Sequence, residues 1–140
     1  MNAEYLRGVT IRPLRNGDAA VVQAVFDRMG PASRLARFNG AKNVLSAADL
    51  ELLSRVDATH HVLVAWAAGE PIGIARLARD GRCAEVAFGI ADAWQSRGVG
   101  RLLAERLGAD ARAAGVTEFR AEARGDNVRS HAIIARLQAA

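Results

Sequence analysis

Three apolar runs stand back to back near the middle of the chain: "HHVLVAWA", "PIGIARLAR" and "CAEVAFGIA". A short connection at Gly69-Glu70-Pro71 leads from the first to the second, and a glycine turn at Asp80-Gly81 leads from the second to the third. Short apolar runs rich in branched residues and bounded by glycine and proline read as strands. Strands joined by such short turns must be antiparallel, because a parallel neighbour needs a crossover of about a dozen residues or more. The three runs therefore predict an antiparallel meander, and every other element has to be packed against it.

The flanks supply those elements. "VTIRPL", Val9 to Leu14, alternates as a strand does, and Pro13 suits an edge or a strand end. "NGDAAVVQAVFDRM" offers Asn16 or Asp18 as an N-cap, places Val21, Val22, Val25, Phe26 and Met29 on one helical stripe, and stops at Gly30-Pro31. "PASRLARFNGAKNVLS" has no clean period, whereas "SAADLELLSRV" starts a helix at Ser46 or Ala47 with Leu50, Leu53 and Val56 facing inward. Beyond the meander, Val99, Leu102, Leu103, Leu107, Ala111 and Ala114 recur at helical spacing up to Gly115. "VTEFRAEAR" alternates again, and "DNVRSHAIIARLQ" reads as a last helix starting at Asp126 or Asn127. The order is βααβββαβα, a mixed α/β (α+β) arrangement of helices on a sheet.

Composition narrows the possible functions. A chain of 140 residues that is 51% hydrophobic is the size of one ordinary domain, so residues 1–140 are expected to form a single unit. No apolar run approaches the roughly 20 residues that cross a bilayer, and "MNAEYLRGVTIRPL" lacks the basic-then-apolar pattern of a secretory signal. A cytoplasmic protein without a membrane partner is expected, and the single cysteine, Cys83, fits a reducing compartment. The net charge of +4 comes from scattered arginines, with Lys42 the one lysine. Dispersed arginines with few interleaved aromatics argue against a nucleic-acid partner and suit a small anionic ligand. His60, His61 and His131 have no metal-ligand spacing, so no metal site is expected.

An anion site is offered by "AWQSRGVGRLL", Ala93 to Leu103, at the turn from the fourth strand into the third helix. The first N–H groups of a helix lack internal partners and the helix dipole concentrates positive charge there, so such an end accepts phosphate. Gly98 and Gly100 would let a ligand approach the backbone, and Arg97 and Arg101 could add charge-assisted hydrogen bonds. The plain alternative is a tight turn with solvated arginines. No Gly-Lys-Ser/Thr ending follows, which argues against a nucleotide triphosphatase loop. Leu103 stands where a dinucleotide fingerprint would have its third glycine, and the meander argues against a doubly wound fold.

"QSRGVG", Gln95 to Gly100, resembles the Gln/Arg-x-x-Gly-x-Gly/Ala motif of the general-control-related N-acetyltransferases, the GNAT family, whose elements also follow this order. "AEVAFGIADAWQSRGVGRLL", "GDNVRS" and "GPASRLARF" resemble the bacterial Pat-type protein lysine acetyltransferases in particular. The resemblance implies acetyl-CoA as co-substrate. It places the pyrophosphate on Gln95, Ser96, Arg97, Gly98, Val99, Gly100 and Arg101, and gives Asn127 a contact to the coenzyme. It offers the backbone of Phe88, Gly89 and Ile90 to the pantetheine arm and the acetyl carbonyl. Glu85 corresponds to the proposed general base, and Arg34, Arg37 and Phe38 lie where the subgroup has a recognition loop. Many relatives carry a tyrosine as general acid seven residues after the helix asparagine; here that position is Ile134, and the Pat-type subgroup also tends to be apolar there.

The chemistry asked of Glu85 is specific. A lysine amine has a reference pKa of about 10.4, so near neutrality very little of it is the free base that can attack a thioester. A strand carboxylate within one water of the amine could take that proton. Alternation puts Glu85 on the face of Cys83, Ala87 and Gly89, opposite Val86, Phe88 and Ile90. Cys83 itself reads as a half-buried thiol, and Glu118 and Glu122 as surface positions. The expected activity is direct transfer from acetyl-CoA to an amine, with a protein lysine as first acceptor and a small-molecule amine as second. The competing reading is a non-catalytic acetyl-CoA sensor. The sequence ends at "IARLQAA", before the last two strands that the resemblance implies, so either a truncated or divergent form or an edge completed by a neighbouring chain is expected; an uncovered edge would favour a homodimer or aggregation.

Overall fold

A computed structural model describes residues 8–30, 44–121 and 137 of the chain. Its elements are β1 (Val9–Pro13), α1 (Ala19–Asp27), α2 (Ala47–Leu53), β2 (His60–Ala67), β3 (Glu70–Asp80), β4 (Cys83–Ile90), a short 3-10 turn (Asp92–Trp94), α3 (Val99–Ala113) and β5 (Glu118–Ala121). The five strands form one sheet in the order β1-β2-β3-β4-β5. β1 to β4 are antiparallel neighbours and β5 lies parallel to β4. The meander is present as expected, and α3 is the crossover that the one parallel pair requires. Of the last expected helix, only Leu137 falls among the described residues.

Local chemistry sets the helix ends. Asp18 caps α1 by accepting the Val21 N–H at 3.4 Å. Ser46 caps α2 in a reciprocal capping box: its hydroxyl accepts the Asp49 N–H at 3.0 Å while Asp49 accepts the Ser46 N–H at 2.9 Å. The stripe expected on α1 is inward, with Val22, Val25, Phe26 and Met29 all buried. Some boundaries differ from the expectation: α1 ends at Asp27, ahead of Gly30-Pro31, α2 ends at Leu53 and leaves Val56 outside it, and the first hairpin is shifted. The β2–β3 connection is Ala68-Gly69, both with positive φ (51° and 77°), and Glu70 and Pro71 already pair with Ala67 and Trp66. Two left-handed residues match the strand twist in a two-residue hairpin, and an irregularity at Ala65/Trp66 takes up the register.

Two cores divide along the sheet. On one face α3 buries Val99, Leu103, Leu107 and Ala111 against Leu63, Ala75, Leu77 and Val86, and Leu137 joins them. On the other, α1 and α2 bury Val22, Phe26 and Leu53 against Val62 and Val64, with Ile74 and Trp66 at the margin. β4 serves both, since Val86, Phe88 and Ile90 belong to the α3 face while Ala87 and Gly89 line the α1 face.

Candidate active site

The site lies where β4 runs out and α3 begins. Gly98 is the N-cap of α3, with φ 92° and ψ 5°, and no side chain caps this end. A left-handed cap costs glycine little and any residue with a Cβ about 1–2 kcal/mol, which is the local reason for glycine here. The first backbone bond of the helix runs from the Leu102 N–H to the Gly98 carbonyl at 3.0 Å. The N–H groups of Val99, Gly100 and Arg101 therefore have no partner within the helix. Val99, 1% exposed, anchors the first turn in the core, so the end is open and also fixed. Gly73 on β3 lies directly beneath: a Cβ there would sit 3.0 Å from Ile90 Cδ1 and 3.2 Å from Val99 Cγ1, so only glycine lets α3 come this close.

The residues leading into the helix are shaped by the same turn. Gln95 folds back and donates from Nε2 to the Ile90 carbonyl at 3.2 Å. Ser96 takes a left-handed φ of 61°, a conformation unusual for a residue with a Cβ. The Arg97 guanidinium lies over the Trp94 ring, 5.2 Å from its centroid, and both Arg97 and Arg101 are exposed. Two cations thus flank an uncapped, anchored helix end.

The end of β4 lies beside it. β5 pairs with β4 only from Cys83↔Glu118 to Val86↔Ala121, so among the described residues no strand continues beside Ala87 to Ile90. The Ala91 N–H donates to the Ile72 carbonyl at 2.9 Å, towards β3. Strand alternation then turns the polar groups of Gly89 to β3 and those of Phe88 and Ile90 to the open side. Gly89 has a different use: a Cβ there would lie 3.2 Å from Met29 Sδ, so the glycine lets α1 seat closely.

Glu85 stands on the same strand, between Ala78 on β3 and Arg120 on β5, and it is exposed. Ala87 and Gly89, which share its face, line a small cavity of about 20 Å³ under α1 together with Phe26, Met29, Leu53 and Arg76. Arg76 is 7% exposed, a buried cation in an otherwise apolar wall. Cys83 donates its S–H to Glu118 Oε2 at 3.1 Å. That hydrogen bond, aided by partial burial, raises the thiol pKa, so Cys83 is a poor nucleophile.

The structure places Phe88 and Ile90 at the end of β4 that leads into Gln95 to Arg101, whereas Glu85 lies on the same strand nearer its start, beside Cys83. Asn127, Arg34, Arg37, Phe38, Glu122 and Ile134 lie outside the described residues. The histidines diverge: His60 Nδ1 is 2.8 Å from Asp57 and His61 Nε2 is 2.9 Å from Asp110 on α3. Two residues were not foreseen. Arg76 had a signal, a lone charge inside the apolar run "PIGIARLAR". Asp92 had almost none, since its partners include Gly30 at the far end of α1.

The glycine-capped start of α3 thus adjoins a strand edge that is unpaired among the described residues, on a mixed sheet with helices on both faces. The profile of the acetyltransferase (GNAT) family matches residues 31–138, and the chain belongs to that family. Within it, the chain is 38% identical over 96 residues to "Acetyltransferase Pat" of Mycolicibacterium smegmatis, a match covering 64% of this chain and 29% of that protein. The chain thus spans less than a third of that relative's length. The GNAT domain of S. lividans PAT superposes with a TM-score of 0.83 at 29% identity, over 92% of this chain and 80% of that one. A cAMP-binding acyltransferase from Mycobacterium smegmatis matches with a TM-score of 0.59 at 31% identity, covering 91% of this chain and 39% of that one. An aminoglycoside acetyltransferase from a soil metagenome, 14% identical over 94% of this chain and 88% of its own with a TM-score of 0.69, shares the fold.

Proposed function

We propose that this chain transfers the acetyl group of acetyl-CoA to an amine, with the side chain of a protein lysine as the acceptor. The observation that carries the reading is the uncapped, left-handed start of α3 at Gly98 beside the open edge of β4. The N–H groups of Val99, Gly100 and Arg101, with Arg97 and Arg101 beside them, suit a pyrophosphate. The outward groups of Phe88 and Ile90 suit the pantetheine arm, and an N–H there can polarise the thioester carbonyl as charge develops on oxygen. Asn127 is assigned to the coenzyme by resemblance. The lysine acceptor rests on the likeness to the Pat proteins.

The transfer needs one proton removed from the ammonium before its nitrogen attacks the carbonyl carbon. Glu85 is solvated and on the strand that would hold the thioester, so it takes that proton through water. The coenzyme thiolate then leaves. Holding donor and amine on one strand end supplies much of the acceleration.

Calorimetric titration with acetyl-CoA, followed by thiol release with lysine peptides and with polyamines, tests the reading. Binding with release on lysine peptides is expected. Glu85→Gln should lower kcat by about 10²-fold or more while leaving acetyl-CoA affinity unchanged. Release only with polyamines would move the acceptor to small amines, and tight binding without any release would make the chain a sensor.

A further inference from the structure

We infer that Asp92 is a positioning residue that holds the phosphate-binding turn in register with the end of α1. The inference rests on the coenzyme reading of that turn. Asp92 opens the 3-10 turn between β4 and the Gln95–Arg101 loop and bonds in two directions. Towards α1, its N–H donates to the Arg28 carbonyl at 2.9 Å and its Oδ2 accepts the Gly30 N–H at 2.9 Å. Towards the loop, its carbonyl accepts the Gln95 N–H at 3.3 Å and its Oδ1 lies 3.4 Å from Gln95 Nε2. The same Nε2 donates to the Ile90 carbonyl, so Asp92 steers the side chain that ties the loop back to β4.

Two physical points favour a functional use. An exposed carboxylate beside an anion-binding helix end repels the ligand the end is built for, so charge alone makes Asp92 a liability. Its hydrogen bonds are the compensation. In addition, Gly30 is fitted to it: a Cβ at Gly30 would overlap Asp92 Oδ2. Met29, next to Gly30, is buried against Gly89, so the position of α1 is transmitted to Asp92 through a packed neighbour. The loop that meets the pyrophosphate and the helix that roofs the Glu85 face are thereby locked together.

The test compares affinities for acetyl-CoA and for S-acetylpantetheine, which lacks the nucleotide and its pyrophosphate, in the full chain. Asp92→Ala and Gly30→Ala should each weaken acetyl-CoA about tenfold, the scale of a lost hydrogen bond to a charged group, and leave S-acetylpantetheine within about twofold. Asp92→Asn keeps an acceptor for Gly30 and removes the charge, so it should stay within about threefold of wild type. The double variant Asp92→Ala/Gly30→Ala should be no weaker than Asp92→Ala, because the overlap is gone. Gly30→Ala, which displaces the carboxylate without deleting it, provides the same comparison if the Asp92→Ala chain does not fold. Equal losses for both donors, or no loss for acetyl-CoA, would overturn the proposal. A wild type that does not prefer acetyl-CoA over S-acetylpantetheine would overturn the coenzyme reading of the turn, and the proposal with it.

Discussion

The two faces of the sheet share their strands and differ in how completely they are filled. Beneath α3, Leu63, Leu103 and Leu107 are wholly buried, and Gly73 removes even a methyl so that the helix can seat. Beneath α1 a small gap of about 20 Å³ remains, with Arg76 in its wall and Gly89 at its edge. The packed face fixes the helix end that would receive phosphate, which must not move. The looser face carries Glu85, which stays exposed. Interiors are ordinarily close-packed, so even this small gap, with the buried Arg76 in its wall, sets the α1 face apart from the α3 face.

The strongest way to break this contrast is a matched truncation. Leu103→Ala, at a site where nothing can collapse, should cost about 3–5 kcal/mol, whereas Leu53→Ala, which borders the existing cavity, should cost about 2–3 kcal/mol. Urea midpoints of the two variants measure the difference. Equal losses would mean that the cavity wall is as tightly held as the α3 core.

A finer comparison adds a methyl instead of removing several. Gly73→Ala puts a Cβ 3.0–3.3 Å from Ile90, Val99 and Leu103, three packed side chains, and should cost about 1–3 kcal/mol. Gly89→Ala meets Met29 Sδ at 3.2 Å and Ile74 Cγ2 at 3.4 Å. Methionine is flexible and has the cavity to move into, so the loss there should stay under about 1 kcal/mol. Thermal melting of the pair decides the matter. A larger loss at Gly89 would show that the α1 face is the more rigid one.

Periodicity explains why much of this was legible in advance. The meander, the α1 stripe and the glycine-bearing turn into α3 each rest on local spacing, and each is present. Alternation gave Glu85 its face but not its depth, because exposure depends on how far α1 reaches along β4, which no local pattern records. The hairpin moved to Ala68-Gly69 because an alanine with positive φ leaves no trace in the sequence. Asp92 was invisible for the same kind of reason: its partner Gly30 is 62 residues away, and only the packing of α1 onto β4 brings them together. Long-range hydrogen bonds are where sequence reading ran out, and here one of them lies beside the turn from Gln95 into α3.

The smallest effect concerns the far end of the Glu85 face. Cys83 shares that face, and its thiol is held above its ordinary pKa mainly because Glu118 accepts the S–H. At any pH below that raised value the thiolate fraction is smaller than in a free cysteine, so alkylation is slow. Its pH profile should rise only at higher pH than for an ordinary thiol. Glu118→Gln removes the negative acceptor, so the profile should move to lower pH and the rate at pH 8 should increase severalfold, with kcat of the transferase unchanged. Iodoacetamide labelling followed by mass spectrometry reads the rate. If the variant altered kcat together with thiol reactivity, Glu118 would belong to the proton-handling end of β4 with Glu85, and the open face would extend one strand further than the cavity marks it.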